Sequence, residues 1–89
     1  MARRTVTIAS SVGLHARPAS LFVQAAADTG LDVEIAKVGE EPVDATSILA
    51  VMALGAEHGQ EVELTAEGDG ADAALDSLVA LLSRDLDAE

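Results

Sequence analysis

Apolar and polar residues alternate along three stretches of this chain. These stretches are 3–9, 31–38 and 61–67. In the first of them Val6 and Ile8 fall on one face, and a period of two residues is typical of a strand with one buried face. A shorter strand is expected at Val43, after the turn residues 39–42. Pro42 has no N–H to donate to a neighbouring strand, so this short strand is expected at an edge of the sheet.

Three other stretches carry apolar residues at steps of three and four, which is the period of an amphipathic helix. They are 16–29, 47–54 and 71–84. Gly30 and Gly55 follow the first two and are suited to end them, and Phe22 is expected to anchor the first helix in the core. The predicted order is therefore βαββαβα. Four strands covered on one face by three helices make an α+β two-layer sandwich, although the pattern alone does not fix the order of the strands in the sheet.

Length, charge and composition restrict the class of protein. The 89 residues suffice for one small domain, spanning 1–89. Sixteen carboxylates against five lysines and arginines give a net charge of −11, which argues against nucleic acid or an anionic membrane as partner and favours a protein. No run approaches the roughly 18 apolar residues of a membrane span, so no direct membrane insertion is expected. The absence of cysteine excludes disulfides, thiolate metal sites and thiol nucleophiles, and fits a cytoplasmic location.

The most informative stretch is Gly13–Ala19, where the strand pattern gives way to the helical one. His15 lies at this junction, Arg17 follows it, and Pro18 suits the opening turn of a helix. The first N–H groups of a helix lack intrahelical acceptors and carry partial positive charge. An anion beside His15 would therefore meet the backbone donors of Ala16 and Arg17 together with the guanidinium, which suits a phosphoryl group. A lone histidine and arginine near a helix start are more often ordinary surface residues, so spacing alone leaves both interpretations open.

Two blocks of this sequence resemble the HPr family, the histidine-containing phosphocarriers of the phosphoenolpyruvate-dependent sugar phosphotransferase system. Residues 13–19, Gly-Leu-His-Ala-Arg-Pro-Ala, are similar to the family's active-site signature. Residues 44–55, Asp-Ala-Thr-Ser-Ile-Leu-Ala-Val-Met-Ala-Leu-Gly, are similar to its regulatory-serine segment and lie at about the expected distance. The resemblance covers essentially the whole chain. It implies an open-faced antiparallel sheet of strand order 1-4-2-3 with the helices on one side.

The resemblance also implies a function. Enzyme I would phosphorylate His15 on Nδ1, giving pros-phosphohistidine, and sugar-specific IIA domains would accept the group, although the sequence itself does not choose between the two ring nitrogens. Neutral imidazole is available near pH 7, and the Arg17 guanidinium can donate bidentate hydrogen bonds to phosphate oxygens. The sequence shows no nucleotide loop, metal cluster or acid/base pair. We therefore interpret the chain as a covalent carrier and not an enzyme, a monomer that needs no cofactor and no metal.

The second helix carries two further candidates. Ser47 stands at the expected N-cap, a role that stabilises a helix by about 1 kcal/mol. In the resembling family the aligned serine is phosphorylated by a regulatory kinase in some bacteria, so Ser47 is also a candidate regulatory site, although Thr46 stands where a lysine often precedes that serine. The resemblance implies that Ile48, Leu49 and Met52 form an apolar patch that docks partners beside the histidine. At least one of these three is also expected in the core.

Other classes of protein fit parts of the sequence. An acyl carrier protein is also small, acidic and cysteine-free, and Asp76-Ser77-Leu78 is similar to its phosphopantetheine attachment triplet. In an acyl carrier protein, which is all-helical, the serine of this triplet should begin a helix, whereas Ser77 lies within the predicted helix 71–84. A pure interaction module with a structural His15 is a further alternative, as is an HPr-like carrier of a nitrogen-related or dihydroxyacetone system. His58 has no companion ligands for a metal and is interpreted as a loop residue.

Overall fold

The structure of the protein is a computed structural model, and it describes residues 1–84. Its elements are β1 (Ala2–Thr7), α1 (Ala16–Asp28), β2 (Asp32–Lys37), β3 (Val43–Asp44), α2 (Ile48–Leu54), β4 (Glu61–Glu67) and α3 (Ala71–Leu82). The order βαββαβα is the predicted one, and each element lies within about two residues of the bounds that the pattern gave. The α+β class predicted from the pattern is confirmed.

The four strands form one antiparallel sheet in the order β1-β4-β2-β3. The order 1-4-2-3 implied by the family resemblance is therefore confirmed. Strand β4 is central and pairs with both neighbours, for example through Val6↔Val62 and Ile35↔Leu64. Strand β3 has two residues and pairs with β2 at the edge of the sheet. Its edge position agrees with the expectation drawn from Pro42.

The core lies between one face of the sheet and the three helices. The strands contribute Val6, Val33, Ile35, Val62, Leu64 and Ala66, and the helices contribute Ala19, Phe22, Ala26, Val51, Ala71, Leu75, Leu78 and Leu82. Phe22 is fully buried, as its place in the helical pattern predicts. The alternate residues of the strands, such as Thr5, Glu34 and Glu61, are exposed on the other face, so the sandwich is open on one side.

The first strand is tied to the last helix by a charged side chain. The Arg4 guanidinium donates to Asp76 Oδ1 at 3.0 Å and to Asp72 Oδ1 at 3.1 Å. The two carboxylates are one turn apart on α3, so both reach the same guanidinium. These hydrogen bonds raise the pKa of Arg4 above its ordinary value. The contact joins β1 and α3 across the edge of the sheet that β1 forms.

Candidate functional site

His15 is presented by a short loop that leads from β1 into α1. The loop is closed by a hydrogen bond from Gly13 N to Ser10 O at 3.0 Å. It is then anchored by Leu14, whose side chain is fully buried and whose N–H donates to Ala56 O at 2.8 Å. One residue further on, His15 is exposed. A buried residue directly before His15 therefore fixes where the exposed imidazole leaves the backbone.

Gly13 allows the loop to approach the chain after α2 very closely. Its φ is +74°, in the region that favours glycine. A Cβ at this position would lie 2.7 Å from Ala56 O and 2.9 Å from the Cα of Glu57. The backbones of the two segments are thus in contact at Gly13. The loop that carries His15 and the end of α2 are consequently packed as one unit.

His15 is the N-cap residue of α1. Its backbone is extended, with φ −128° and ψ 161°, and its side chain makes no capping hydrogen bond. Its carbonyl accepts from Ala19 N at 3.4 Å, which begins the helix. The first turn of α1 contains no acidic residue. The imidazole therefore lies at the positive end of a helix with no carboxylate in that turn to compete for the backbone donors.

Ala16 has a backbone conformation that the sequence did not signal. Its φ is +48°, and among residues 1–84 it is the one residue other than glycine with a positive φ. Such a conformation costs on the order of 1–3 kcal/mol for a residue with a Cβ and persists only where the surroundings impose it. Here the buried Leu14 and the buried Pro18 lie on either side. The backbone is thus held in a strained form directly beside the imidazole.

The sequence-predicted phosphate-binding residues all lie at this helix start. Ala16 and Arg17 are the first two helical residues, and both are exposed. Pro18 and Ala19 are buried and hold the helix against the core. The N–H groups of the first helical turn have no acceptor within the helix. The structure thus brings His15, Ala16 and Arg17 together on one exposed corner.

Helix α2 carries the candidate docking patch and ends beside this corner. Ile48, Leu49 and Met52 have exposed fractions of 37%, 79% and 38%. The expectation that at least one of them belongs to the core is wrong, because the buried residue of this helix is Val51. Leu54 is partly buried and also packs against the core, so the inward face of this helix of 7 residues is formed without the three candidates. The three candidates therefore form an exposed apolar patch on α2.

Ser47 is the N-cap residue of α2, as predicted. Its Oγ accepts from Ala50 N at 3.3 Å. The turn before it is fixed by Asp44, whose Oδ1 accepts from Thr46 N at 2.9 Å and from Thr46 Oγ1 at 2.7 Å. Thr46 thus helps to shape the segment that leads into α2.

His58 lies in the turn after α2, and the interpretation as a loop residue is correct but incomplete. Its Nδ1 is 3.2 Å from Ser10 O, at the start of the loop that presents His15. Local spacing carries no signal for this contact, because residues 10 and 58 are 48 positions apart. Ser10 itself is buried, and its hydroxyl has no hydrogen-bond partner among the described residues.

Within 1–84 no three His, Cys, Asp or Glu side chains are grouped so that they could hold a metal ion. No helix in that part of the chain has the length and apolar character needed to cross a membrane. Ser77 lies inside α3 and does not begin it. The acyl carrier alternative is wrong, because this chain contains a four-stranded sheet and its serine triplet lies within a helix.

Comparison with known proteins identifies the family. A family model described as "PTS HPr component phosphorylation site" matches residues 2–84. The chain belongs to the HPr family. A phosphocarrier protein HPr from Streptomyces coelicolor is 49% identical over 87 residues, which cover 98% of this chain and 94% of the relative. Membership makes the chain a phosphocarrier of the phosphotransferase system and not a catalyst in its own right.

Solved HPr structures share the fold described above. The crystal structure of HPr-C-His from Thermoanaerobacter tengcongensis has a TM-score of 0.91 and 39% identity, and the match covers 100% of this chain and 99% of that one. A crystal structure of an HPr dimer from the same organism has a TM-score of 0.69 and 42% identity, with 91% and 92% of the two chains covered. The four-stranded sheet and its three helices are therefore those of HPr.

Proposed function

We propose that this HPr accepts a phosphoryl group from Enzyme I on Nδ1 of His15 and passes it to sugar-specific IIA domains. The observation that supports this most directly is the exposed imidazole of His15 at the N-cap of α1, where its side chain is not used for capping. Because the His15 side chain does not cap α1, it does not compete with an incoming anion for the backbone donors at the helix start. Membership in the HPr family and this geometry both support the proposal.

The transfer step needs a nucleophile in line and neutralisation of charge on the phosphoryl oxygens. The lone pair of Nδ1 attacks phosphorus, an N–P bond forms, and the bond from phosphorus to the donor group breaks with its electron pair leaving on the donor. Transfer to the acceptor reverses these changes and returns neutral imidazole. The backbone N–H groups of Ala16 and Arg17 and the Arg17 guanidinium stabilise the charge on the three oxygens. The strained backbone at Ala16 lies within this group of donors.

The distribution of carboxylates supports an anion site at this corner. The chain has 16 Asp and Glu residues, yet none of them falls in residues 9–27 or 45–56. These two segments contain the loop of His15, nearly all of α1, and the whole of α2. A phosphoryl group at His15 therefore meets no carboxylate from these two segments. Repulsion from the rest of this acidic chain is weakened by distance and by salt.

The patch formed by Ile48, Leu49 and Met52 is proposed to dock Enzyme I and the IIA domains. Leu49 is the most exposed of the three, and α2 ends at the backbone contact between Gly13 and Ala56. The apolar side chains exposed on α2 can be buried by a partner while the phosphoryl group moves. Methionine adapts its shape to more than one partner surface. A carrier with several acceptors needs this property.

We further propose that the chain works in the cytoplasm as a single domain and as a monomer, because the phosphoryl donor and acceptors must each reach the same corner. The dimer known for a relative shows that another arrangement is accessible to an HPr chain.

Ser47 is proposed as a candidate acceptor for a serine kinase. Its hydroxyl caps α2, so phosphorylation would exchange a neutral cap for an anion at a helix start.

Labelling with phosphoenolpyruvate and Enzyme I tests the proposal. The full-length chain is expected to take up one acid-labile phosphoryl group, and His15→Ala is expected to abolish the label, because the imidazole is the acceptor. The chain contains two histidines, so His58→Asn is the matched control and is expected to retain the label. Acid-labile label in His15→Ala, or label mapped to His58, would refute the assignment.

A further inference from the structure

The turn after α2 is bound to the segment that leads into the site. Gln60 O accepts from Ile8 N at 2.9 Å, and Gly59 N donates to Ile8 O at 2.9 Å. At the other end of that segment, Leu14 N donates to Ala56 O. Residues 56–60 thus run alongside residues 8–14 and contact them at both ends. A side chain of this turn that contacts residues 8–14 between those two ends therefore helps to fix the segment that presents His15.

His58 is the side chain that does so. Its Nδ1 lies 3.2 Å from Ser10 O. A carbonyl oxygen can only accept a hydrogen bond, so Nδ1 must carry the proton. This requirement selects the Nδ1–H tautomer of the neutral ring and leaves Nε2 unprotonated. The imidazolium form also has a proton on Nδ1, so the contact is compatible with both charge states of His58.

The acceptor of this bond is the atom that closes the loop. Ser10 O also accepts from Gly13 N at 3.0 Å, and one carbonyl has two lone pairs for the two donors. Gly13 in turn presses against Ala56 and the Cα of Glu57. The two donors therefore hold Ser10 O from both sides, and the position of Gly13 determines where His15 emerges two residues later. Loss of the donor at residue 58 loosens this closure without touching the imidazole that reacts.

We propose that His58 is a positioning residue of the phosphoryl site, donating Nδ1–H to Ser10 O and so fixing the loop that presents His15. The inference rests on the proposed function for its effect on transfer, but the contact itself exists independently of that function. This proposal gives His58 a role in the site, whereas the sequence alone indicates only a loop residue without companion metal ligands.

Three substitutions at position 58 isolate the donor. The Nδ1 atom of histidine, the Nδ2 atom of Asn and the Oδ atoms of Asp are each bonded to Cγ. Asn therefore offers an N–H donor near the place of Nδ1, whereas Asp offers only an acceptor there. Ala removes the group without adding charge, which separates the lost bond from the added carboxylate of Asp. Gln60→Ala is the matched control, because it removes the bond from Glu57 N to Gln60 Oε1 within the same turn and leaves the contact with Ser10 in place.

The first measurement needs no partner protein. In nitrogen-15 NMR of the wild-type chain, the neutral His58 ring is expected as the Nδ1–H tautomer. Amide exchange at Gly13 is expected to be about threefold to tenfold faster in His58→Ala and His58→Asp, as for loss of one partly buried hydrogen bond. It is expected to stay near the wild-type rate in His58→Asn and Gln60→Ala. An Nε2–H tautomer, or equal exchange in the Asn and Asp variants, overturns the proposal.

The second measurement is phosphoryl transfer to His15 from Enzyme I. With this chain as the varied substrate, His58→Ala and His58→Asp are expected to lower the kcat of Enzyme I severalfold, while the KM of Enzyme I for the chain stays within twofold because the patch on α2 is unchanged. His58→Asn is expected to restore kcat. Equal kcat for the wild-type chain and the Ala, Asp and Asn variants of His58 would contradict the proposed effect of His58 on the site. If the wild-type chain takes no label on His15, the proposed function fails, while the tautomer and the exchange rates still decide the contact.

Discussion

At the scale of single residues, Asp44 shows how one exposed carboxylate shapes the approach to α2. Its Oδ1 accepts from the hydroxyl of Thr46 at 2.7 Å and from the N–H of Thr46 at 2.9 Å. The side-chain bond, and after it the backbone bond, lower the pKa of Asp44 below its ordinary value of 3.8. Both bonds are made to the ionised form, so they favour loss of the proton.

The pH dependence of this contact follows from the direction of the shift. A carboxyl group whose pKa is lower in the folded state contributes stability above its unfolded pKa, and that contribution is lost as pH falls through the lower folded pKa. In an NMR titration, Asp44 is expected to have a pKa below 3.8, and Thr46→Val is expected to move the pKa back towards that value. The hydroxyl is the larger cause, so removing it has the larger effect.

Thr46→Ser is the control for this prediction, because it keeps the hydroxyl and removes only a methyl group. Its Asp44 pKa is expected to match that of the wild-type chain. An Asp44 pKa at the ordinary value in the wild-type chain, or the same pKa in the Val and Ser variants, would contradict the role of the hydroxyl.

At the scale of elements, the site is built where two loops meet at Gly13. The sequence placed Gly13 at the end of a strand pattern, but only the structure shows that the backbone after α2 leaves no room for a side chain there. Such a contact joins β1, α1 and α2 at one point. The geometry at His15 therefore depends on an interaction between segments that are distant in the sequence.

Gly13→Ala is expected to lower the free energy of unfolding by about 2–4 kcal/mol, measured by urea denaturation. About 1 kcal/mol comes from placing a Cβ at positive φ, and overpacking adds about 1–3 kcal/mol more. The same variant is expected to slow phosphorylation of His15, since relief of the clash moves the loop.

Gly39→Ala separates the two costs. Gly39 has φ +89°, and nothing lies within 4 Å of a Cβ built there. Only the backbone cost of about 1 kcal/mol is therefore expected, with no effect on labelling. Equal losses of stability in the two variants would show that the close approach at Gly13 is not costly.

The elements themselves could be predicted from the sequence because local periodicity determines which residues face the core. The strand order could not, since the pattern of each strand is the same whichever neighbour it pairs with, and only the family resemblance supplied it. The site residues His15 and Arg17 stood out through their place at a helix start. The positive φ of Ala16 and the contact of His58 did not, because alanine carries no sequence signal for positive φ and a contact across 48 positions leaves no trace in local spacing.

At the scale of the whole molecule, the dominant property is the net charge of −11. The structure measures 32 × 27 × 20 Å, and the screening length is about 30 Å at 0.01 M salt and about 3 Å at 1 M. At low salt every carboxylate therefore interacts with most of the others, and their mutual repulsion destabilises the compact state. Asp32 and Glu67 face each other directly across β2 and β4, so part of this repulsion is local.

The thermal midpoint is accordingly expected to rise with sodium chloride. A gain on the order of 1 kcal/mol between 0.01 M and 0.5 M salt corresponds to roughly 4–8 °C for a domain of this size. Glu67→Gln is expected to raise the midpoint at 0.01 M, because it removes one member of the opposed pair, and to lose that advantage at 0.5 M, where the pair is screened. Preferential exclusion of salt from the surface would raise the midpoint of both proteins equally. A constant difference between Glu67→Gln and the wild-type chain at all salt concentrations would therefore show that repulsion between carboxylates is not the cause.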